Sequence, residues 1–276
     1  MKLESHIVVE KPDQGVVESL TAETGLSRQR IKSAMAKGAV WLTRGRKTQR
    51  LRRVKRQLKV GDQIHIYFNS DVLDEDPAEP LLIADVGEYS VWQKPYGLRS
   101  QGSKWGDHCT VVRWAERNLV PERPAFTVHR LDRAANGLIL IAHSKTTAAA
   151  LSQLFSSRNI EKRYRALVKG DLSDQQGSMR IEVPIDGKDA ASEISFLKLL
   201  DGKQESLLDV RIETGRKHQI RRHLAAIGCP IVGDRLYGEQ NEQPHDRDLQ
   251  LTAYRLAFVC PVSGEPVDYH LDLAAG

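Results

Sequence analysis

In VHRLDRAANGLILIA, residues 128–142, a charged loop leads directly into an apolar run. The run 138–142 has the length and composition of a buried strand, and the loop places one acid, Asp132, between two arginines. An isolated pattern of this kind is typical of an ordinary ion pair with Arg130 or Arg133. These residues alone leave open whether Asp132 performs chemistry or only forms such a pair.

The composition is that of a folded protein with room for more than one domain. The chain has 276 residues, of which 40% are hydrophobic and 28% charged, enough for one large domain and a small one. No apolar run approaches the roughly 20 residues that span a bilayer, and the first residues have no signal-peptide core. We therefore expect a cytoplasmic protein without membrane association. The three cysteines, which have no metal-binding spacing, are predicted to be unpaired thiols.

Positive charge is concentrated in one segment of the chain. Residues 28–59 hold 13 Lys or Arg and no acid, whereas the rest carries 28 basic and 36 acidic residues. A solvated basic face would explain such a run, but 13 like charges repel one another unless a polyanion neutralises them. Nucleic acid is the natural candidate, because neutralised phosphates release counterions. The predicted RNA-binding residues are Arg28, Arg30, Lys32, Arg44, Arg46, Lys47, Arg52 and Arg53.

This basic segment also has the pattern of a small folded domain. Asp13 and Ser27 are predicted caps of two short helices, Gly25 ends the first, and DQIHIYF (62–68) alternates as a half-buried strand. With LSRQRIKSAMAKGAVWLTRGRK (26–47), the pattern resembles the S4-type RNA-binding domain over about residues 5–69. An acidic stretch with two prolines follows. We therefore predict a basic domain at 1–70, a linker at 71–85 and a second domain at 86–276.

Beyond the linker, helical and strand-like patterns mix irregularly. EKRYRALVKG (161–170) alternates as a strand, and residues 219–227 form a helix with one apolar face. This predicts an α+β fold with a mixed, mostly antiparallel sheet. Cofactor motifs such as G-x-G-x-x-G are absent, and HRLDRAAN transposes the Leu and Asp of a kinase catalytic loop. His218 and His223 fall on different sides of the helix, which favours solvent or phosphate contacts over a shared metal.

Four segments taken together are similar to the RluA-type pseudouridine synthases. They are QKPYGL (93–98), HRLDRAANGLIL (129–140), EKRYRALVKG (161–170) and ETGRKHQIRRHLAAIGCPIVGDRLYG (213–238). The resemblance covers roughly residues 86–275, and many members of that family carry an S4-type domain ahead of the catalytic domain. It implies a pseudouridine synthase fold and an enzyme that isomerises specific uridines of tRNA or rRNA to pseudouridine, with no metal and no other cofactor.

The resemblance also implies roles for individual residues. Asp132 matches the catalytic aspartate, which can act as a nucleophile or as a base. Arg221 matches the arginine that pairs with it and keeps it ionised. Tyr164 matches the active-site tyrosine, whose ring can stack on the flipped uracil and whose hydroxyl can assist proton removal.

Four further residues are predicted to bind the substrate. His129 and Arg130 would shape the loop or contact RNA, although a structural role is the simpler explanation of His129. Ile220 would line the pocket or pack in the core, and Arg222 would contact phosphate or solvent.

The loop after Asp132 departs from the family pattern. Ala134, Ala135 and Asn136 stand where members commonly have an acidic residue or proline, then Thr, then Ser or Thr. Asn136 can still hydrogen-bond the loop backbone. The departure bears on the detailed loop geometry and on the RNA that is accepted.

Two other functions remain compatible with the sequence. One is a non-catalytic RNA-binding or assembly factor that keeps the synthase fold, and the other is an RNA hydrolase that uses Asp132 with a histidine. In each case we expect RNA as the partner, no obligate protein partner and a monomer.

Overall fold

The computed structural model describes residues 1–11, 14–175, 177–200, 204–238 and 247–273. The chain forms two compact units, the first comprising Met1–Pro77 with Gln101–Arg117 and the second Ala78–Ser100 with Asn118–Gly276. The sequence prediction differs for residues 101–117, which it assigned to the second domain. They belong to the first unit because Asp107 forms ion pairs with Arg50, at 2.9 Å, and with Arg52.

The first unit contains an antiparallel four-stranded sheet and helices that pack against it. Its elements before residue 77 are β1 (Lys2–Val8), α1 (Val16–Thr24), α2 (Arg28–Ala36), β2 (Val40–Arg44), β3 (Lys47–Arg50), β4 (Gln63–Asn69) and a short α3 (Ser70–Leu73). The strand order is β1-β4-β2-β3, and Leu20, Ile31 and Ile64 lie in the core between helices and sheet. Strand β1 is absent from the sequence prediction, although alternating burial of KLESHIV fits an edge strand.

The predicted caps can be compared with the helix ends. The Ser27 side chain accepts a hydrogen bond from the Arg30 N–H at the start of α2, and Gly25 ends α1 in the left-handed conformation. Both are as predicted. Asp13 lies outside the described residues, and Gly15 occupies the N-cap position of α1.

The predicted linker at 71–85 contains regular structure at both ends. At its start, α3 places Leu73 in the core of the first unit. At its end, residues 81–85 form strand β5 (Leu81–Asp85), which pairs with β6 (Tyr89–Lys94). The prediction is therefore too long at both ends, because a buried leucine and a paired strand outweigh the acidic composition of the stretch.

The second unit is built on a ten-stranded sheet with the order β10-β11-β12-β9-β13-β8-β6-β5, with β14 beside β13 and β7 beside β8. All of its described pairings are antiparallel except β8 with β13, which confirms the predicted mixed sheet. The elements after β6 are α4 (Val111–Asn118, all but its last residue in the first unit), β7 (Phe126–Thr127), β8 (Asn136–Ala142), α5 (Lys145–Ser156), β9 (Ile160–Lys169), β10 (Ser178–Ile181), β11 (Ser192–Leu199), β12 (Glu205–Ile212), α6 (Gln219–Ala226), β13 (Leu251–Val259) and β14 (Pro266–His270).

Packing of α6 on the sheet brings three distant segments together. Ile220 and Leu224 of α6 lie in one apolar core with Ala166 and Val168 of β9, and Tyr164 packs against the edge of that core. Strand β8, which follows the charged loop, lies beside β13, the neighbour of β9. No helix in the described ranges combines the length and apolar character needed to cross a bilayer.

Gly137 is a sensitive position, because it lies where the charged loop enters β8. Its φ is +115°, and an added Cβ would lie 2.2 Å from the Ala253 carbonyl oxygen. We expect Gly137→Ala to lower the free energy of unfolding, measured in urea, by roughly 3 kcal/mol or more, since backbone strain and a backbone clash add. Gly187→Ala is the matched control, because Gly187 also has a positive φ, +70°, but has open space around it. That variant should cost only about 1 kcal/mol, and equal losses would contradict the argument.

Candidate active site

The loop that carries Asp132 is fixed by a buried ammonium group. Lys94 is fully buried, and its Nζ donates hydrogen bonds to the carbonyls of Pro95 at 3.0 Å, Leu98 at 2.9 Å and Ala135 at 2.6 Å. Burial lowers the pKa of Lys94 to about 7, against the opposing effect of the Asp132 charge. Two of these carbonyls lie in the segment after β6, and the third lies in the loop after Asp132. The Lys94 side chain therefore joins these two segments.

A second anchor acts on the residue immediately before Asp132. The Ser100 hydroxyl donates to the Leu131 carbonyl at 2.8 Å and accepts from the Leu131 N–H at 2.9 Å. Both backbone groups of Leu131 are thereby satisfied away from water. Asp132 is therefore held at the end of a rigid loop rather than on a flexible turn.

The partner of Asp132 comes from α6 and not from its neighbours in sequence. Oδ2 lies 3.3 Å from Nη1 of Arg221, and Oδ1 lies 3.8 Å from Nε2 of His218, while 27% of the Asp132 side chain is exposed. Arg130 is exposed, and Arg133 donates from Nε to the Gly97 carbonyl at 3.2 Å. Asp132 is therefore paired with Arg221, and not with Arg130 or Arg133 as the isolated sequence pattern allowed.

Arg221 is shared between two carboxylates. Its Nε and Nη2 donate to the two oxygens of Asp234 at 2.8 and 2.6 Å, and only 5% of the Arg221 side chain is exposed. Burial alone would lower the pKa of Arg221, but the hydrogen bonds and charge of Asp234, and then the charge of Asp132, raise it overall. The sequence prediction did not include Asp234 or a partnership of His218 with Asp132. Asp234 lies in GDRLYG (233–238), but no sequence pattern indicates that its side chain contacts a residue of α6.

Tyr164 of β9 provides a neutral phenol beside the acid. Its ring is partly buried against the core that contains Ile220. Burial raises the pKa of the Tyr164 hydroxyl, and the charge of Asp132 raises it further. The phenol therefore keeps its proton at neutral pH, where it can donate a hydrogen bond or stack but cannot act as a standing base.

A pocket opens over Asp132 and α6. Its volume is about 250 Å³, and it is lined by Asp132, Arg133, Ala134, His218, Arg221, Gly233, Arg235, Leu236, Asp248 and Leu249. Ile220 does not line it, because its side chain is buried in the core, at 5% exposure. Ala135 is also buried, and the buried Oδ1 of Asn136 has no hydrogen-bond partner among the described residues. The backbone bonds expected of Asn136 are therefore not made through this oxygen.

The other predicted substrate-binding residues lie away from the pocket lining. His129 stacks on Phe155, with ring centroids 4.3 Å apart, and its Nε2 accepts from the Leu140 N–H at 3.0 Å. Arg222 pairs with Asp186 at 3.0 Å on the surface. His223 is buried and bonds to Ser192 Oγ and the Val183 carbonyl, so the predicted solvent or phosphate contact is wrong for this residue.

The predicted RNA-binding side chains of the first unit fall into two groups. Arg44 is tied to Asp62 by two hydrogen bonds, at 2.8 and 2.6 Å, and Arg52 pairs with Asp107. Arg28 pairs with Glu18 at 3.2 Å on the surface, and Arg30 lies 5.5 Å from the Phe68 ring. Exposed residues for which the described part of the chain offers no acid partner are Arg30, Lys32, Arg46, Lys47 and Arg53.

Comparison with known proteins identifies the family to which the chain belongs. The family model for RNA pseudouridylate synthase matches residues 88–226. The chain belongs to the RNA pseudouridine synthase family. An RNA pseudouridine synthase of Aquifex aeolicus is 31% identical over 275 residues, covering 89% of this chain and 85% of the relative.

Another relative agrees with this membership, and a solved structure shares the fold. The dual-specificity RNA pseudouridine synthase RluA of Vibrio parahaemolyticus is 31% identical over 189 residues, covering 62% of this chain and 74% of the relative. The structure of human RNA Pseudouridylate Synthase Domain Containing 1 superposes with a TM-score of 0.60 at 22% identity, covering 72% of this chain and 86% of that one. This second likeness shows that the pseudouridine synthase fold is shared.

We expect the ionisation of His129 to make no contribution to the pH dependence of catalysis. Burial lowers the pKa of His129 to about 3, with a smaller effect of the Lys162 charge, from a usual value of 6.5. Because the folded pKa is depressed, its contribution to stability is present above pH 6.5 and is lost as the pH falls towards 3. We expect His129→Gln, which keeps an acceptor for Leu140, to leave the pH–rate profile above pH 6 unchanged and to reduce acid destabilisation. Both can be measured by activity and by urea unfolding at each pH, and a lost basic or acidic limb would contradict this.

Proposed function

We propose that this protein is an RluA-type synthase that isomerises specific uridines of tRNA or rRNA to pseudouridine, with Asp132 as its catalytic group. The observation that carries the proposal is the Arg221–Asp132 contact, 3.3 Å long, at the wall of the pocket. The resemblance assigns Asp132, Arg221 and Tyr164 to catalysis. Arg221 reaches Asp132 from 89 residues further along the chain, and the charge of Asp132 raises the pKa of the Tyr164 hydroxyl. The RluA relative supports the same subgroup.

The reaction sets clear demands on this site. The N1–C1′ bond of the uridine breaks, the uracil turns while it is held, C5 bonds to C1′, and the proton of C5 is replaced by one on N1. A carboxylate can assist the departure of uracil as a nucleophile at the sugar or as a base, and can accept a proton afterwards. Arg221 and His218 keep the Asp132 carboxylate oriented towards the pocket, while Tyr164 supplies a ring for stacking and a protonated hydroxyl.

The pocket is suited to a single extruded nucleotide. Its volume of about 250 Å³ lies below the roughly 300–1,000 Å³ of drug-sized ligand pockets. A uridine within a helix must leave its stack to reach Asp132, which costs a few kcal/mol and favours loops or distorted sites. The substrate is therefore proposed to be a structured RNA that presents one uridine from a loop.

The first unit is proposed to bind the RNA backbone as an S4-like domain. Four of its predicted contacts, Lys32, Arg46, Lys47 and Arg53, present exposed charges without an acid partner in the described chain. Arg44 and Arg52 are proposed to shape this surface through their ion pairs instead. A cytoplasmic location and a monomeric state stay predictions.

Replacing the acid tests the chemistry directly. We expect Asp132→Asn to bind RNA with unchanged affinity and to form no pseudouridine above background, because the amide can neither attack the sugar nor accept the proton. Pseudouridine can be counted by mass spectrometry of digested RNA and mapped at single-nucleotide resolution in cells with and without the gene. Asp268→Asn is the control, since Asp268 also pairs with an arginine, Arg255 at 2.7 Å, but lies on β14 outside the pocket.

The outcomes separate the competing functions. Retained isomerisation by Asp132→Asn would overturn the assignment of Asp132 as the catalytic group. A wild-type protein that binds RNA but forms no pseudouridine would favour a binding or assembly factor. Release of free uracil or cut strands by the wild-type protein would favour a hydrolase.

The basic surface can be tested through the salt dependence of binding. We expect the triple variant Arg46→Gln, Lys47→Gln, Arg53→Gln to bind RNA more weakly, with a slope of log affinity against log salt reduced by roughly 2 to 3. Substitution is preferable to deletion of residues 1–70, because residues 101–117 pack with that unit. Lys145→Gln, Arg158→Gln and Lys188→Gln together make the control, because they also remove three exposed positive charges but lie in the second unit. An unchanged slope in the triple variant would exclude phosphate contacts by these residues.

A further inference from the structure

The turn Gly233–Gly238 contacts both basic groups that face Asp132. It follows α6 in sequence and lies outside residues 88–226, to which the family model applies. Asp234 contacts Arg221, and Tyr237 contacts His218 and Arg221. The turn therefore supports Asp132 indirectly, through its contacts with Arg221 and His218.

Asp234, and not Asp132, is the principal partner of Arg221. The Asp234 side chain has no exposed surface, and its two oxygens accept from Arg221 at 2.8 and 2.6 Å. Its Oδ1 also accepts from the backbone N–H groups of Leu236, at 2.9 Å, and Tyr237, at 3.1 Å. Asp132 receives a single, longer contact of 3.3 Å from the same guanidinium.

Tyr237 supports the second basic group. Its hydroxyl lies 3.0 Å from Nδ1 of His218, whose other ring nitrogen, Nε2, faces Asp132 Oδ1 at 3.8 Å. The Tyr237 ring also lies 5.1 Å from the Arg221 guanidinium carbon. His218 has a φ of 55°, a left-handed conformation that costs energy in a non-glycine residue, so its orientation depends on such contacts.

The turn itself is held tightly against the neighbouring chain. An added Cβ at Gly233, which has a φ of +79°, would lie 2.4 Å from the Asp248 carbonyl oxygen. Asp234 follows this close contact directly. Its carboxylate is therefore placed by backbone packing rather than by a flexible loop.

We propose that Asp234 is a positioning residue that keeps Arg221 in place while the charge of Asp132 changes during the reaction, and that Tyr237 holds His218 in the same way. The inference rests on the proposed function. It assigns no contact with the substrate to either residue.

The physical reason is the cost of an uncompensated buried charge. If Asp132 bonds to the sugar or takes up a proton, it no longer neutralises Arg221. A buried guanidinium that loses its only partner is strongly destabilised and would move towards water. Because Asp234 keeps two hydrogen bonds to it, Arg221 stays neutralised in every state of Asp132, and the site needs no rearrangement between steps.

The test uses single-turnover rates of pseudouridine formation on the full-length protein. We expect Asp234→Asn to lower the rate by about 10- to 100-fold, the range found when side chains that orient metal ligands are replaced, with RNA affinity unchanged. Asp234→Glu keeps the charge but displaces it, and should give a smaller loss. Tyr237→Phe removes only the hydroxyl contact with His218 and should also give a smaller loss.

Asp209→Asn is the matched control for the loss of a buried ion pair. Asp209 is buried and pairs with Arg163 at 2.6 Å and Arg165 at 2.9 Å, away from the pocket. We expect this variant to lower the melting temperature while the rate per folded molecule stays near that of the wild type.

A double-mutant cycle distinguishes positioning from a general structural role. If Asp234 acts through Arg221, then Asp234→Asn and Asp234→Glu should each slow the wild type but have no further effect in an Arg221→Met background. The double variant Arg221→Met with Asp234→Asn carries no unpaired buried charge at this pair, so it should fold even if Asp234→Asn alone does not.

Three results would overturn the inference. They are a wild-type rate in both Asp234 variants, equal losses in both Arg221 backgrounds, and a loss that follows RNA affinity alone. Failure of the proposed function is distinguishable, because the wild-type protein itself would then form no pseudouridine.

Discussion

The site depends on one guanidinium placed between two carboxylates. Arg221 is buried on α6, bonded twice to Asp234 and once to Asp132. Burying Arg221 with the partly exposed Asp132 as its only partner would cost desolvation free energy that one contact does not offset. The two hydrogen bonds to the fully buried Asp234 offset that cost. This arrangement leaves Asp132 oriented by a positive charge, yet with part of its surface open to the pocket.

Rigidity elsewhere serves the same geometry. Among the described residues no carboxylate lies in hydrogen-bond contact with the buried Lys94, and its bonds go to backbone carbonyls on both sides of the site. The ammonium therefore acts as a structural joint, and its lowered pKa reflects the burial that this role requires. Ser100 satisfies both backbone groups of Leu131, so the backbone is held on both sides of Asp132, at Leu131 and at Ala135.

In the first unit, the structure neutralises several of the charges that the sequence predicts to be free for RNA binding. The basic run predicts one uniform surface, but Arg44, Arg50 and Arg52 are drawn into ion pairs with Asp62 and Asp107. Asp107 lies 48 residues beyond the end of that run. Counting charges along the chain could not reveal this, because the acids that neutralise the arginines come from other elements.

From the sequence come several of the helices and strands and the mixed sheet, because periodicity and caps are local properties. Its motifs also give the resemblance to the family, and through it the three candidate catalytic residues Asp132, Tyr164 and Arg221. Tertiary packing alone shows that His218 also faces Asp132, that Asp234 is the main partner of Arg221, that Ile220 packs inside, and that residues 101–117 join the first unit. Each of these depends on which side chains are buried together, and burial sets the strength of a charge pair through contacts between segments that no local pattern connects.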